Sequence, residues 1–198
     1  YLNSFKSLFY CIESSKFRIY ALMLTIPDHI SKNVERPPML PAFKVERPLI
    51  ILPTYNEADN ITQILNAINA LPLQISILVV DDSSPDGTAE KVTRHPSFEK
   101  NLFLIKRPSK SGLGSAYREG FQWGLKNGHD VCIQMDSDFS HDPNELLRNI
   151  DFFINKKLDL LIASRYLPGS KIINWSLSRR VLSKMSNFLA RNLLKIPL

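Results

Sequence analysis

Features that would define several other classes of protein are scarce or absent in this 198-residue sequence. It has only two cysteines, Cys11 and Cys132, which excludes a disulfide framework and indicates a reducing compartment. Its longest apolar run, about residues 19–26, is far shorter than the ~20 residues that a membrane-spanning helix needs, and no secretory cleavage site follows it. Neither a P-loop nor a Gly-x-Ser-x-Gly elbow occurs, so P-loop nucleotide hydrolysis and serine-hydrolase chemistry are not indicated.

Acidic residues are missing from one part of the chain. Residues 1–170 carry 19 basic and 19 acidic side chains, so the formal net charge of +6 lies entirely in the last segment. This segment has six basic residues and no acidic one: Lys171, Arg179, Arg180, Lys184, Arg191 and Lys195. The distribution argues against a nucleic-acid groove across the domain and for one local contact with an anionic partner.

The composition is that of a globular protein, with 44% hydrophobic and 22% charged residues. The length suits one substantial domain plus a remainder. Residues 1–47 show no clean period and end among prolines, so we treat them as an N-terminal appendage of unknown role, with a helix expected over 4–24. Residues 48–170 form the main domain, and residues 171–198 form a basic amphipathic segment.

From residue 48 onward, short apolar runs alternate with longer amphipathic stretches. We predict strands over 49–52, 75–80, 102–105, 131–135 and 158–163. We predict helices over 58–70, 86–94, 113–127 and 143–156. Because the runs are apolar throughout, they indicate a parallel sheet covered on both faces. The sequence therefore predicts a doubly wound α/β domain.

Polar clusters follow four of the five predicted strands, at the positions where such a sheet binds ligands. Asp81 and Asp82 are adjacent, and two like charges at a strand exit cost energy unless a ligand or hydrogen-bond donors offset them. Asp136 and Asp138 leave a strand two residues apart and can converge on one hard cation such as Mg²⁺ or Mn²⁺. For His141 we favour a solvated loop histidine over a further ligand.

Together these motifs resemble the family-2 glycosyltransferases of the GT-A fold, and among them the dolichol-phosphate and polyprenol-phosphate mannosyltransferase group. The resemblance extends from about residue 48 to 191. It rests on Leu-Pro-Thr-Tyr-Asn-Glu at 52–57, Val-Val-Asp-Asp-Ser-Ser-Pro-Asp-Gly-Thr at 79–88, Gly-Leu-Gly-Ser-Ala-Tyr-Arg-Glu-Gly at 112–120, Met-Asp-Ser-Asp-Phe-Ser-His at 135–141, Ala-Ser-Arg-Tyr at 163–166, and Asn174-Trp175 followed by Arg179. It implies a Rossmann-like, mostly parallel sheet flanked by helices.

The resemblance also implies roles for individual residues. Around the nucleotide-sugar it places Pro53, Tyr55, Glu57, Val80, Asp82, Asp136 and Ser137. It implies that Asp136 and Asp138 hold Mg²⁺ or Mn²⁺, with Ser140 at a position where some members have a glutamine ligand. Asp138, Arg165 and Arg179 take the catalytic positions, and the two arginines match residues that handle phosphate groups.

The reaction that the resemblance implies is an inverting transfer of mannose from GDP-mannose to a dolichyl or polyprenyl phosphate. The protein would be cytoplasmic and peripheral to the cytoplasmic face of a membrane. One alternative is a related transferase with a UDP-sugar donor. Another is a catalytically silent nucleotide-sugar-binding fragment, because the Asp-x-x-Ser-Gly-Phe-like segment of the family is missing and the acceptor side is expected to be truncated.

The basic segment predicts an amphipathic helix over about 175–196. Its apolar side chains form an arc, and beside this arc lies a narrow stripe of basic side chains. The basic stripe consists of Arg180, Lys184, Arg191 and Lys195. A basic stripe that flanks an apolar face is typical of a helix lying on anionic lipid. The alternative is a helix that packs on the domain and leaves its basic edge in solvent.

Overall fold

The computed structural model describes residues 18–21, 45–162 and 176–194. Its elements are, in chain order, β1 (Arg18–Ala21), β2 (Pro48–Thr54), α1 (Ile61–Asn69), β3 (Ser76–Asp81), α2 (Thr88–Thr93), β4 (Leu102–Lys106), α3 (Leu113–Lys126), β5 (Val131–Gln134), α4 (Glu145–Asn155) and α5 (Leu177–Leu194). The chain divides into two compact units, Tyr1–Ser164 and Arg165–Leu198.

The first unit contains a sheet of five parallel strands in the order β1-β5-β2-β3-β4. From β2 the chain moves outward through β3 to β4, and then it returns to the opposite side of β2 as β5. The order therefore reverses between β2 and β5. Such a reversal leaves a crevice outside the carboxyl ends of the two strands, where open α/β sheets bind their ligands.

Both faces of the sheet are covered, as uninterrupted apolar strands require. Ile50 and Leu52 face a core that includes the buried side chains of α1 and α4. Leu49 and Ile51 face a second core, which includes Ala116 and Tyr117 of α3. This alternation along β2 follows from the two-residue period of a strand.

Helix α3 lies unusually close to the sheet. A Cβ atom on Gly120 would lie 2.6 Å from Cγ2 of Ile51, and one on Gly124 would lie 2.9 Å from Sγ of Cys132. Both glycines are therefore required by packing, because any larger side chain would push the helix away. The close approach also determines where Tyr117, one turn earlier, lies relative to the end of β5.

The α/β fold predicted from the sequence is confirmed. Four of the five predicted strands form, and all of the predicted helices in the main domain form with somewhat shorter ends. Asp86 accepts hydrogen bonds from the N–H and hydroxyl of Thr88 at the start of α2. Asp142 accepts one from the N–H of Asn144 just before α4.

Two expectations about strands and helices were wrong within the described residues. Residues 18–21, expected in a helix, form β1 and pair with β5. Residues 158–162, expected in a fifth strand, form only an isolated bridge at Ile162. The edge of β5 away from β2 offers unpaired backbone groups to an extended segment, and β1 pairs there.

The second unit contains α5, a helix of 18 residues. Its apolar side chains are exposed: Leu177, Val181, Leu182, Met185, Phe188 and Leu189. Lys184 is exposed as well, whereas the side chains of Arg180 and Arg191 lie outside what the structure describes, so the basic stripe stays a prediction. No helix in the described ranges is long and apolar enough to span a membrane.

Candidate active site at the carboxyl edge of the sheet

Three of the loops that leave the sheet carry a residue other than glycine in the left-handed backbone region. Asn56 follows β2 with a φ of 61°, Ser83 follows β3 with a φ of 54°, and Phe139 follows β5 with a φ of 59°. Side chains with a Cβ rarely adopt this conformation, and residues that do so cluster at binding and catalytic sites. Three of the five such residues in the described ranges therefore lie at the carboxyl edge of β2, β3 and β5, which we take as the candidate site.

The last residue of β3 is an acidic residue whose hydrogen bonds all come from within the protein. Asp81 is fully buried, and its Oδ1 accepts hydrogen bonds from the hydroxyls of Thr54 and Ser84 at 2.9 and 2.5 Å. The N–H of Ser84 donates to Oδ2 at 2.9 Å. Asp81 therefore ties the end of β2 to the loop after β3.

The second acidic residue forms a buried ion pair. Oδ1 of Asp82 lies 2.6 Å from Nε of Arg107, at an angle unfavourable for a hydrogen bond, and Nη2 of Arg107 donates to Oδ2 at 3.1 Å. The N–H of Ser111 also donates to Oδ2, and Nη1 of Arg107 donates to the hydroxyl of Ser115. Asp82 thus holds the loop between β4 and α3 against the end of β3.

That same loop reaches the end of β2. Nζ of Lys110 lies 3.7 Å from the centre of the Tyr55 ring, a cation–π contact between two exposed side chains. An aromatic ring and a lysine side by side at a strand end offer a stacking surface next to a positive charge. Such a pair suits a nucleotide, which carries a flat base and an anionic phosphate chain.

Three other residues predicted to surround the nucleotide have structural contacts. The Glu57 carboxylate accepts a hydrogen bond from Nδ2 of Asn60 at the start of α1. The Pro53 carbonyl accepts one from the hydroxyl of Ser137 at 3.4 Å, which joins the end of β2 to the loop after β5. Val80 is fully buried in β3 and packs on the α3 face, so its place beside the nucleoside stays a prediction.

Asp136 is held by a buried tyrosine. The hydroxyl of Tyr117 lies 3.2 Å from Oδ1 of Asp136 and 3.3 Å from the carbonyl of Met135. Burial, followed by the charges of Asp136 and Asp138, raises the pKa of Tyr117 well above its usual value. The hydroxyl therefore keeps its proton and acts as a donor to the end of β5.

Asp138 is the exposed member of this pair. Burial alone would raise its pKa, but hydrogen bonds from the hydroxyl and the N–H of Ser140 outweigh that effect and lower it. The carboxylate is therefore ionised at neutral pH. Ser140, predicted as a metal ligand, is a hydrogen-bond donor to Asp138 in this structure.

The donor set fits a hard divalent cation that is shared with a substrate. Asp136 and Asp138 supply carboxylate oxygens, the ligand type that Mg²⁺ and Mn²⁺ prefer. Among the described residues, no cluster of three or more His, Cys, Asp or Glu side chains could hold a metal ion. Such a pair suits a cation that keeps several waters and bridges substrate phosphates, as Mg²⁺ commonly does.

The structure adds residues that were not assigned a role from the sequence. Arg107, Lys110 and Tyr117 contact the predicted site residues. Of these three, only Tyr117 belongs to one of the motifs of the family resemblance, the one at 112–120. A basic residue shortly after a predicted strand would have been the only signal for Arg107. Of the predicted catalytic arginines, Arg165 lies outside the described residues, and the structure does not describe the Arg179 side chain within α5.

Comparison with known proteins identifies the class to which this site belongs. Residues 49–198 match the family described as Glycosyl transferase family 2. Because this match covers most of the chain, the chain belongs to that family.

Three curated relatives are enzymes named for polyprenyl-type phosphates. The polyprenol monophosphomannose synthase of Mycolicibacterium smegmatis is 43% identical over 152 residues, which are 76% of this chain and 57% of that protein. The undecaprenyl-phosphate mannosyltransferase of Micrococcus luteus is 38% identical, over 77% of this chain and 62% of that protein. The dolichol-phosphate mannosyltransferase of Pyrococcus furiosus is 39% identical, over 68% of this chain and 38% of that protein.

The matched stretch is thus 38–62% of the length of these relatives. Among solved structures, a mannosyltransferase from Pyrobaculum calidifontis in complex with GDP-Man and Mn²⁺ is 31% identical. The alignment covers 39% of this chain and 24% of that chain, with a TM-score of 0.36.

Proposed function

We propose that this chain binds GDP-mannose with Mg²⁺ or Mn²⁺ at the carboxyl edge of its sheet and transfers mannose to a polyprenyl or dolichyl phosphate. The observation that carries the proposal is the pair Asp136 and Asp138, which leaves β5 at the strand-order reversal with Asp138 exposed and ionised. The names of three relatives at 38–43% identity support the sugar and the acceptor class. Residues 48–170 would form the donor-binding domain.

The metal would be held by Asp136 and Asp138, with water or Ser140 completing the ligand set. A bound divalent cation stabilises the negative charge that develops on the leaving diphosphate. Tyr117 supports this arrangement because its hydrogen bond to Oδ1 of Asp136 orients that carboxylate. The small Ser137 joins the loop to the Pro53 carbonyl, next to the end of β2.

The nucleoside would bind among Pro53, Tyr55, Glu57, Val80 and Asp82. The Tyr55 ring is exposed and suited to stacking on a base. The Arg107 guanidinium and the N–H of Ser111 already contact the Asp82 carboxylate. Asp82 would offer its remaining acceptor capacity to the base. Lys110, next to the Tyr55 ring, would supply positive charge near the phosphates.

The transfer step needs no strong base in the protein. A phosphate oxygen of the acceptor would attack C1 of mannose while the bond from C1 to the donor diphosphate breaks, so that GDP leaves and the sugar configuration inverts. Because the attacking oxygen already carries negative charge, the chain has to orient it rather than deprotonate it. Arg165 and Arg179 would perform this orientation, since guanidinium groups bind phosphate in a bidentate manner.

Helix α5 would hold the enzyme at the cytoplasmic face of a membrane, where a lipid phosphate is available. The segment from Lys171 onward has six basic residues and no acidic residue. Six large apolar side chains of α5 are exposed. Positive charge beside exposed apolar side chains favours the surface of an anionic bilayer.

Two measurements test the catalytic proposal. Calorimetric titration with GDP and with UDP, each with Mn²⁺, should show tighter binding of GDP. A radiolabelled assay should then show transfer from GDP-mannose to undecaprenyl or dolichyl phosphate. Tighter binding of UDP would indicate a UDP-sugar donor instead, and binding without transfer would leave only a nucleotide-sugar-binding role.

Vesicle flotation tests the membrane contact separately. The full chain should float with vesicles of phosphatidylcholine and phosphatidylserine, and less with phosphatidylcholine alone. Replacing Val181, Met185 and Phe188 by serine should abolish flotation and leave GDP binding unchanged. A matched control replaces Ser178, Ser183 and Ser186 by alanine; equal flotation of all three proteins would contradict the assignment of α5.

A further inference from the structure

His141 lies in the loop that links β5 to α4, and it is only 4% exposed. Its Nδ1 accepts a hydrogen bond of 2.9 Å from the N–H of Asp136. The expectation of a solvated loop histidine was therefore wrong. The imidazole is buried, and its hydrogen bond joins the two ends of a six-residue segment, 136–141, that contains both carboxylates of the proposed metal site.

The direction of this hydrogen bond defines what Nδ1 can do. A ring nitrogen that accepts a hydrogen bond from an N–H carries no proton and has no lone pair left for a metal. Through Nδ1, His141 is therefore neither a ligand nor a general base in this arrangement. Its acceptor is used instead on the backbone of the first carboxylate residue.

The remaining contacts of the loop show why a fixed backbone matters there. The hydroxyl of Tyr117 contacts the Asp136 side chain, the Ser137 hydroxyl reaches the Pro53 carbonyl, and the N–H of Ser140 binds Asp138. Between them Phe139 keeps a φ of 59° and remains 41% exposed. A bulky residue holds such a conformation only when its surroundings impose it.

We propose that His141 is a positioning residue, which fixes the turn from Asp136 to Asp138 for a divalent cation and a nucleoside diphosphate by accepting the Asp136 N–H. This inference rests on the proposed function, because that function supplies the cation and the diphosphate. It assigns to the histidine a task that an apolar side chain of similar size does not perform.

Two amides of different length separate this role from simple packing. In His141→Asn, the side-chain oxygen can take the position of Nδ1 and still accept the Asp136 N–H. In His141→Gln, the oxygen lies one carbon farther out, so the acceptor is misplaced while polarity is retained. His141→Leu removes the acceptor. His129→Leu serves as a control, because His129 lies just before β5 and is also buried, but its ring contacts the Arg47 carbonyl.

The measured quantity is the affinity for Mn²⁺ in the presence of GDP. Electron paramagnetic resonance of free Mn²⁺ gives this affinity. We expect His141→Gln and His141→Leu to weaken binding by about 10–100-fold, the usual effect of losing a partner behind a metal ligand. We expect the Mn²⁺ affinity of His141→Asn to stay within about 3-fold of the wild-type affinity, a much smaller change than a loss of about 10–100-fold. His129→Leu should lower thermal stability without changing the affinity.

Amide hydrogen exchange at Asp136 provides the second readout, and it requires no cation. Exchange should be slow in the wild type and in His141→Asn, and fast in His141→Gln. Equal Mn²⁺ affinity in all folded variants, or slow exchange in His141→Gln, would overturn the positioning role alone. A wild type that binds neither GDP nor Mn²⁺ would overturn the proposed function and this inference together.

Discussion

The acidic pair at the end of β3 and the acidic pair after β5 lie at the same edge of one sheet, yet their carboxylates have opposite surroundings. Asp81 and Asp82 are buried and engaged by donors from Thr54, Ser84, Arg107 and Ser111. Asp136 is partly exposed and Asp138 is exposed, and their donors are few.

This difference in burial and in hydrogen-bond donors indicates a different role for each carboxylate pair. The energy needed to bring Asp81 and Asp82 together is offset inside the protein, so this pair joins loops and shapes the site. The charge of Asp136 and Asp138 is only partly offset by the protein, which leaves acceptor capacity for a cation. Two similar carboxylate clusters in the sequence thus fold into one pair whose charge is largely matched inside the protein and one pair whose charge is left for a cation.

The largest expected effect comes from breaking the buried pair. Arg107→Met leaves the Asp82 carboxylate buried without its counter-charge, so the free energy of unfolding should fall by about 3–5 kcal/mol. Urea denaturation measures this loss. The neighbouring Lys106→Met is the control: Lys106 is 53% exposed and 3.7 Å from Glu90, and its loss should cost less than about 0.5 kcal/mol. Equal effects of the two substitutions would show that Asp82 does not depend on Arg107.

The pair after β5 should respond in the opposite way. Asp138→Asn should change the free energy of unfolding by no more than about 0.5 kcal/mol, because the side chain is exposed. Mn²⁺ affinity in the presence of GDP should fall by about 100-fold or more, since even partners behind a ligand are worth about 10–100-fold. Asp142→Asn, in the same loop, should retain full affinity. Unchanged affinity in Asp138→Asn would refute its assignment as a ligand.

Tyr117→Phe tests the contact between helix α3 and the open pair. The substitution removes one buried hydroxyl and leaves Oδ1 of Asp136 without that donor, so stability should fall by about 1 kcal/mol. Thermal and urea unfolding measure the change. Tyr55→Phe removes an exposed hydroxyl while keeping the ring beside Lys110, and it should leave stability unchanged. A neutral result for Tyr117→Phe would mean that Asp136 is oriented without the tyrosine.

The smallest effect belongs to Asp86, an exposed carboxylate at the same edge. Burial tends to raise its pKa, but hydrogen bonds from the Thr88 hydroxyl and from the N–H groups of Ala58 and Thr88 lower it overall. A folded pKa below the unfolded value stabilises the fold above about pH 4, and this contribution disappears as the pH falls through the folded value.

Asp86→Asn should therefore lower stability at pH 7 by about 0.5 kcal/mol, since solvent screens the carboxylate. The difference from the wild type should shrink as the pH falls below about 4, which paired urea titrations at pH 7 and pH 3 can measure. A difference that grows on acidification would have the wrong sign for a lowered pKa.

The fold could be predicted from the sequence because its signals are local. The apolar runs that became β2, β3, β4 and β5 are long enough to identify without knowledge of their neighbours. Edge pairing is different, since the segment that joins an open edge is set by contacts between distant parts of the chain. Residues 18–21 pair with β5 in this way, which their local pattern did not predict.

The sequence by itself determined the parallel α/β architecture and the placement of acidic clusters after its strands, since both follow from periodicity and the chain order of apolar and polar segments. Only the tertiary structure decided how each cluster is used. Whether a carboxylate is matched by an arginine from another loop, as Asp82 is by Arg107, or is left exposed, as Asp138 is, depends on groups distant in the chain. Long-range contacts set the electrostatic environment of a charge, and sequence spacing does not encode them.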